Sequence, residues 1–113
     1  MAVVRGTTDT NWHSNDRPIT WDLSNLEPAL KSITITNTGS QNLLYKVLTK
    51  LDKQAETEVV EFYNTSDNPL EPNESAVYHL RHRRDWIAVD VAAVSGTTTF
   101  EIQTSYQEIE EGG

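Results

Sequence analysis

The sequence lacks cysteine, long hydrophobic runs and any recognisable catalytic motif. Because none of its 113 residues is cysteine, neither a disulfide framework nor a thiolate metal site can form. The opening MAVVRGTTDT holds no apolar stretch of the length that a signal peptide needs, and no segment approaches the roughly 20 apolar residues that span a bilayer. We therefore expect a soluble protein synthesised in a cytoplasm, with neither a signal peptide nor a transmembrane segment.

Positive charge is also scarce. Nine Lys and Arg residues stand against 17 Asp and Glu residues, which gives a formal net charge of -8 at pH 7. A surface of that sign repels the phosphates of nucleic acid and the anionic surface of a membrane, so neither is expected as a partner. An acidic protein can still dock onto a basic region of another protein.

Apolar residues make up only 36% of the chain, and they fall in short runs that alternate with polar residues. Alternation with period two predicts strands that bury one face, and no window keeps a helical period for three turns. The sequence predicts an all-β fold, an antiparallel β-sandwich of about seven strands, immunoglobulin-like or jelly-roll-like. One short edge strand in PITWDL (18–23) precedes six further strands in 32–36, 43–51, 57–64, 76–82, 86–94 and 99–109.

The first two of those six strands are predicted to form a β-hairpin around the turn NTGSQN, with Gly39 free to adopt a positive φ. Three segments make up the chain: an extended N-terminal arm with its edge strand (1–28), the β-sandwich (29–108) and an acidic C-terminal tail (109–113). The side chains predicted to face inward are Ile33, Ile35, Leu43, Tyr45, Val47, Leu51, Val60, Phe62, Ala76, Tyr78, Leu80, Ile87, Val89, Val91, Phe100, Ile102, Thr104 and Tyr106.

A family likeness lies in three stretches of the sequence: ITITNTGSQNLLYKV, LEPNESAVYHL and DWIAVDVAAVSGTTTFEIQTSY. This pattern resembles the small immunoglobulin-like sandwich proteins that occur as accessory structural proteins of tailed-phage virions, in capsid decoration (cement) or tail-associated roles. Asn73 stands where the Leu-x-Pro-Gly-Glu-Ser loop of such proteins has glycine, and Asn also tolerates the left-handed conformation. The resemblance implies a non-enzymatic virion protein that forms a homo-oligomer, for instance a trimer, on a larger assembly such as a major capsid or tail protein.

The stretch LRHRRDWIAVDV places three arginines together in an acidic chain, and we call Arg81, Arg83 and Arg84 the arginine cluster. One interpretation is a solvated hairpin end, in which the arginines pair loosely with nearby carboxylates. The other is a subunit interface, since guanidinium groups suit bidentate pairing with carboxylates. The tryptophans of the arm allow the same two interpretations, capping the domain's own core or docking in a neighbour. The interface hypothesis therefore comprises Trp12, Trp21, Arg81, Arg83, Arg84 and Trp86.

No residue pattern in the chain indicates catalysis, a metal or a cofactor. His79 and His82 lie three apart, which on a strand places them on opposite faces, and no acidic triad accompanies them or His13. No nucleophile elbow, phosphate-binding glycine loop or paired carboxylate motif is present. The alternative to a virion role is a carbohydrate- or receptor-binding sandwich with an exposed aromatic face built from Trp12, Trp21, Trp86 or Tyr63.

Overall fold

The computed structural model describes residues 2–13, 17–22, 29–51, 54, 56–80 and 86–108, and every regular element among them is a β-strand. Two four-stranded antiparallel sheets pack as a sandwich, which confirms the predicted fold class. Sheet A has the strand order β1-β8-β3-β6, and sheet B has the order β2-β7-β4-β5. The strands are β1 (Ala2–Thr8), β2 (Ile19–Asp22), β3 (Ala29–Asn37), β4 (Leu43–Lys50), β5 (Val59–Tyr63), β6 (Ser75–Leu80), β7 (Trp86–Ala93) and β8 (Thr98–Glu108).

The strand connections decide between the two predicted kinds of sandwich. β1 pairs with β8, β2 with β7, β3 with β6 and β4 with β5, so the pairs are nested as in one long hairpin folded over on itself. Only β4 and β5 are consecutive strands of the same sheet, and every other connection crosses from one sheet to the other. This is the arrangement of a jelly roll, so the jelly-roll alternative is right and the immunoglobulin-like one is wrong.

The predicted hairpin between β3 and β4 is wrong. The chain leaves sheet A after Thr38, whose N–H donates to the carbonyl of Thr99, and it enters sheet B at Asn42, whose carbonyl accepts from Val94 N–H. The two strands therefore face each other across the sandwich and form an arch. A hairpin and an arch produce the same alternation in sequence, because in both cases one face of each strand points to the same core.

Asn37 holds this arch together from a position with no solvent exposure. Its Nδ2 donates to the carbonyls of Gln41 at 2.7 Å and Leu70 at 2.8 Å. Its Oδ1 accepts from Gly39 N–H at 3.1 Å and from the Thr98 hydroxyl at 3.0 Å. All four hydrogen-bonding positions of the amide are thus used, as a buried amide requires.

Glycine at position 39 is required for a different reason from the one predicted. Among the described glycines only Gly96 has a positive φ, 62°. A Cβ on Gly39 would lie 2.1 Å from Thr98 Oγ1 and 2.4 Å from Thr99 N, so Gly39 allows the arch to approach β8 closely. Asn73 does adopt the left-handed conformation, with φ 70°, which confirms the role expected of it.

The core lies between the sheets and contains most of the side chains that alternation assigns to it. Two predicted core residues are in fact exposed: Leu51 follows the end of β4, and Val60 points outward because a bulge opposite Val47 and Leu48 shifts the register of β5. The side chain of Tyr106 lies outside the described residues. The core cluster comprises Ile19, Ile33, Ile35, Leu43, Tyr45, Val47, Leu70, Leu80, Ile87, Val89, Val91, Phe100 and Ile102.

The N-terminal arm contributes two strands to the sandwich. Ile19–Asp22 forms the predicted edge strand, here the edge of sheet B. Residues 2–8 were not predicted as a strand, but they pair with β8 along their whole length. The apolar alternation of residues 2–8 is weak because Gly6 occupies an inward position, where a Cβ would lie 2.9 Å from the Phe100 ring. The aromatic ring of β8 fills the space that a side chain of β1 would otherwise take.

Candidate functional site

The outer face of sheet B carries an array of tryptophans, a tyrosine and basic side chains, which we call the aromatic face. Strand register places Lys46 between Asp90 and Tyr63 in one row, and Lys50 beside Trp86 in another. Antiparallel partners point to the same side of a sheet, so these side chains all leave sheet B away from the core. The aromatic face comprises Trp12, Arg17, Lys46, Lys50, Tyr63 and Trp86.

Trp12 reaches this face from the loop after β1. The loop is attached to β7, because the Asp9 carbonyl accepts from Ala93 N–H at 2.7 Å. The backbone N–H of His13 then donates to Oδ1 of Asp90 at 3.2 Å, and this carboxylate is only 3% exposed although it points outward. The indole of Trp12 is half-buried beneath the Lys46 ammonium, whose Nζ lies 4.1 Å from the ring centroid.

The loop that carries Trp12 is stabilised by its own carboxylate. The N–H of Asn11 donates to Asp9 Oδ1 at 2.9 Å, and Nε2 of His13 lies 3.0 Å from the same oxygen. The Asn11 N–H first, and His13 second, hold the pKa of Asp9 below its ordinary value of 3.8. This carboxylate therefore stays charged at neutral pH and ties the two ends of the loop together.

Trp86, at the start of β7, is contacted by two cations of the part of the chain that the structure describes. Nζ of Lys50 lies 4.3 Å from its ring centroid, and the Arg17 guanidinium carbon lies 5.8 Å away. Both distances fall within the range of cation–π attraction. Arg17 Nη1 also donates to Glu58 at 2.7 Å, so an ion pair joins Arg17, two residues before β2, to Glu58, directly before β5, across the breadth of sheet B.

Between the two tryptophan rows lies an apolar row. Ala88 and Leu48 point outward, yet their exposed fractions are only 0% and 7%, so neighbouring side chains cover them. Next to them on the edge strand, Val60 is 46% exposed and Tyr63 is 64% exposed. The aromatic face thus combines ordered rings near its centre with accessible apolar surface at one edge.

The structure brings together some of the residues of the interface hypothesis and leaves others untested. Trp12 and Trp86 share the aromatic face, where the alternation with Ile87 had indicated an outward position for Trp86. The backbone of Trp21 pairs with Ile87 in β2, while its side chain and the arginine cluster lie outside the described residues. Sequence reasoning did not assign Lys46, Lys50 and Arg17 to a site, although the alternation of β4 indicated that both lysines face outward.

A cleft of about 350 Å³ opens at the other edge, between β1 and β2. Val4, Val91 and Phe100 supply apolar surface, while Arg5, His13 and Arg17 supply basic groups. Each of these basic groups is already engaged by a carboxylate: Arg5 by Glu101, His13 by Asp9 and Arg17 by Glu58. The cleft is therefore a weaker candidate than the aromatic face, where two lysines contact rings.

The described residues hold no group of three or more His, Cys, Asp and Glu side chains with the spacing of a metal site. Of the histidines, His79 bonds through Nδ1 to the Ser32 hydroxyl at 2.9 Å, and His82 lies outside the described residues. In the part of the chain that the structure describes, no helix is long and apolar enough to cross a membrane.

Comparison with solved structures finds a match to a crystal structure of PirA. The TM-score is 0.68 and the sequence identity 12%, and the match covers 91% of this chain and 93% of PirA. At that identity the match concerns the fold. No protein-family model matches the chain, and no curated protein is significantly similar to it. The comparisons give no enzyme family.

The resemblance to phage virion proteins is therefore wrong, and so is the virion role that it implied. The match to PirA supports a β-sandwich fold and provides no support for a phage protein. The quoted motif misled because its residues serve the fold. Asn37 closes the arch, Asn73 makes a left-handed turn, and the Glu74 carboxylate accepts from Glu71 N–H at 2.8 Å. Any sandwich with these connections can use the same residues.

Proposed function

We propose that this chain is a non-enzymatic recognition module that binds a carbohydrate group of a cell-surface receptor through the aromatic face. The observation that carries the proposal is the gathering of Trp12, Trp86 and Tyr63 on one outward sheet face. An indole or phenol ring offers a flat apolar surface on which the C–H face of a sugar ring packs, together with a polar edge for hydrogen bonds. The cation contacts and the bond between Asp90 and His13 hold the two indoles in place before any ligand arrives.

The fold agrees with this proposal in two respects. Jelly rolls occur among lectin domains, although a fold by itself does not determine a function. The rings are also on regular strands or tied to them, and sites on rigid elements hold their geometry better than sites on free loops.

A glycan-array screen of the intact protein tests the proposal, followed by titration of tryptophan fluorescence with each saccharide that binds. We expect Trp12→Ala and Trp86→Ala each to weaken binding at least about tenfold, because each removes a stacking surface from an ordered site. Val77→Ser serves as the matched control, since Val77 is exposed on sheet A, and it should leave affinity unchanged. The proposal fails if no saccharide binds, or if both tryptophan variants bind as tightly as the unmodified chain.

A further inference from the structure

The aromatic face presents positive charge in a regular arrangement. Lys46 and Lys50 lie four residues apart on β4 and point to the same side, so their Cα atoms are separated by about 13 Å at the rise of an extended strand. Each ammonium sits over a different indole, 4.1 Å from the Trp12 centroid and 4.3 Å from the Trp86 centroid. The same unit, a ring with a cation beside it, thus occurs twice on one face.

Neither lysine forms an ion pair with any described residue of this acidic chain. The carboxylate of Asp90 lies opposite Lys46 in the strand register, but it is buried and its Oδ1 accepts from His13 N–H instead. Arg17, in contrast, is engaged by Glu58. Among the described residues of the aromatic face, the two ammonium groups are therefore the cations that can bind a carboxylate from outside.

We infer that the aromatic face selects glycans that carry a carboxylate, such as those with a uronic or sialic acid residue. This inference rests on the proposed function and names the class of saccharide. The sugar ring packs on an indole while its carboxylate pairs with the adjacent ammonium, a charge-assisted contact about twice as strong as a neutral hydrogen bond. A neutral sugar that covers the ring leaves the ammonium partly desolvated without a partner, which discriminates against it.

The net charge of the chain limits how anionic the ligand can be. At -8, the protein repels a densely charged polyanion over the Debye length of about 8 Å at physiological salt. A single carboxylate that pairs with an ammonium feels mainly its immediate neighbours. The site therefore fits a glycan with isolated carboxylates better than a polysulfated chain.

The test uses pairs of saccharides that differ in charge, titrated against the intact protein by calorimetry and tryptophan fluorescence. Sialyllactose is compared with lactose, and trigalacturonic acid is compared with its methyl ester, which retains the sugar rings. We expect the acidic member of at least one pair to bind at least about tenfold more tightly at low salt, with a smaller ratio at high salt. Equal affinity within both pairs would overturn the inference and leave the proposed function standing. Absence of binding to all four saccharides would overturn the inference, and absence of binding across the glycan array would overturn the proposed function as well.

Variants then assign the preference to the two lysines. Lys46→Gln and Lys50→Gln together should reduce the preference for acid to within about twofold, because glutamine keeps much of the length but loses the charge. Lys46→Arg with Lys50→Arg should restore it, which shows that the site is intact. Arg5→Gln, on the outer face of sheet A, is the control for loss of a positive charge elsewhere on the protein and should retain the full preference. A preference that survives the double glutamine variant would contradict the role of these lysines.

Discussion

Replacing Asn37 by alanine should destabilise the protein more than its position at the end of β3 suggests. The amide makes four hydrogen bonds at full burial. Losing the hydrogen bond from Asn37 costs little at two of the carbonyls. The Leu70 carbonyl still accepts from Leu43 N–H, and the Gln41 carbonyl belongs to an exposed residue, where water can replace the amide. The Thr98 hydroxyl is only 3% exposed and loses its acceptor. With about 1 kcal/mol for a typical hydrogen bond and more for a buried group left without a partner, we expect a loss of about 3 kcal/mol.

Urea denaturation and calorimetry measure this loss. At about 2.1 cal/mol/K per residue, unfolding of a chain of this length converts 1 kcal/mol into about 4 °C, so the melting temperature should fall by about 12 °C. Thr38→Ala is the control, because it removes one exposed hydroxyl contact of the same arch and should cost less than about 0.5 kcal/mol. A loss below about 1 kcal/mol for Asn37→Ala, or one no larger than that of the control, would refute the assignment of Asn37 as the residue that holds the arch.

Three further predictions concern the fold and the Trp12 loop, and a fourth concerns assembly. Gly39→Ala should cost about 2 kcal/mol or more in urea denaturation, because its Cβ would meet backbone, whereas Gly96→Asn, at a positive φ, should be nearly neutral. In a variant whose other two tryptophans are replaced by phenylalanine, Asp90→Ala should release the Trp12 loop and shift Trp12 emission to longer wavelength. Asp90→Asn keeps the hydrogen-bond acceptor and should leave the emission unchanged. The pKa of Asp9, followed by carboxyl NMR, should lie below 3.8. The charged Asp9 carboxylate then stabilises the folded protein above that pH, and this contribution is lost as the pH falls through the lowered pKa. A pKa at or above 3.8 would be inconsistent with the loop geometry. The expected homo-oligomer stays a prediction, which light scattering at low and high salt would test; a monomer under both conditions would remove it.

Particular residues show how far sequence reasoning reached into the candidate site. The alternation of β7 indicated that Trp86 faces away from the core, because Ile87 beside it had to face inward. The same alternation on β4 indicated that Lys46 faces outward. Neither pattern indicated that Trp12, far away in sequence, would lie beneath that lysine. The attachment of its loop to Asp90 and Ala93 depends on contacts over about 80 residues, which local periodicity does not encode.

The sequence by itself determined the fold class and most of the buried residues of β3, β4, β7 and β8. It could do so because side chains alternate strictly along any strand, and burial of the apolar set leaves one choice of face. Only the tertiary structure decided which strands pair. It turned the expected hairpin into an arch, made a strand of residues 2–8, and moved Val60 to the surface through a bulge. Which strands pair within each sheet depends on how the whole chain folds around one core, and no local stretch of sequence contains that information.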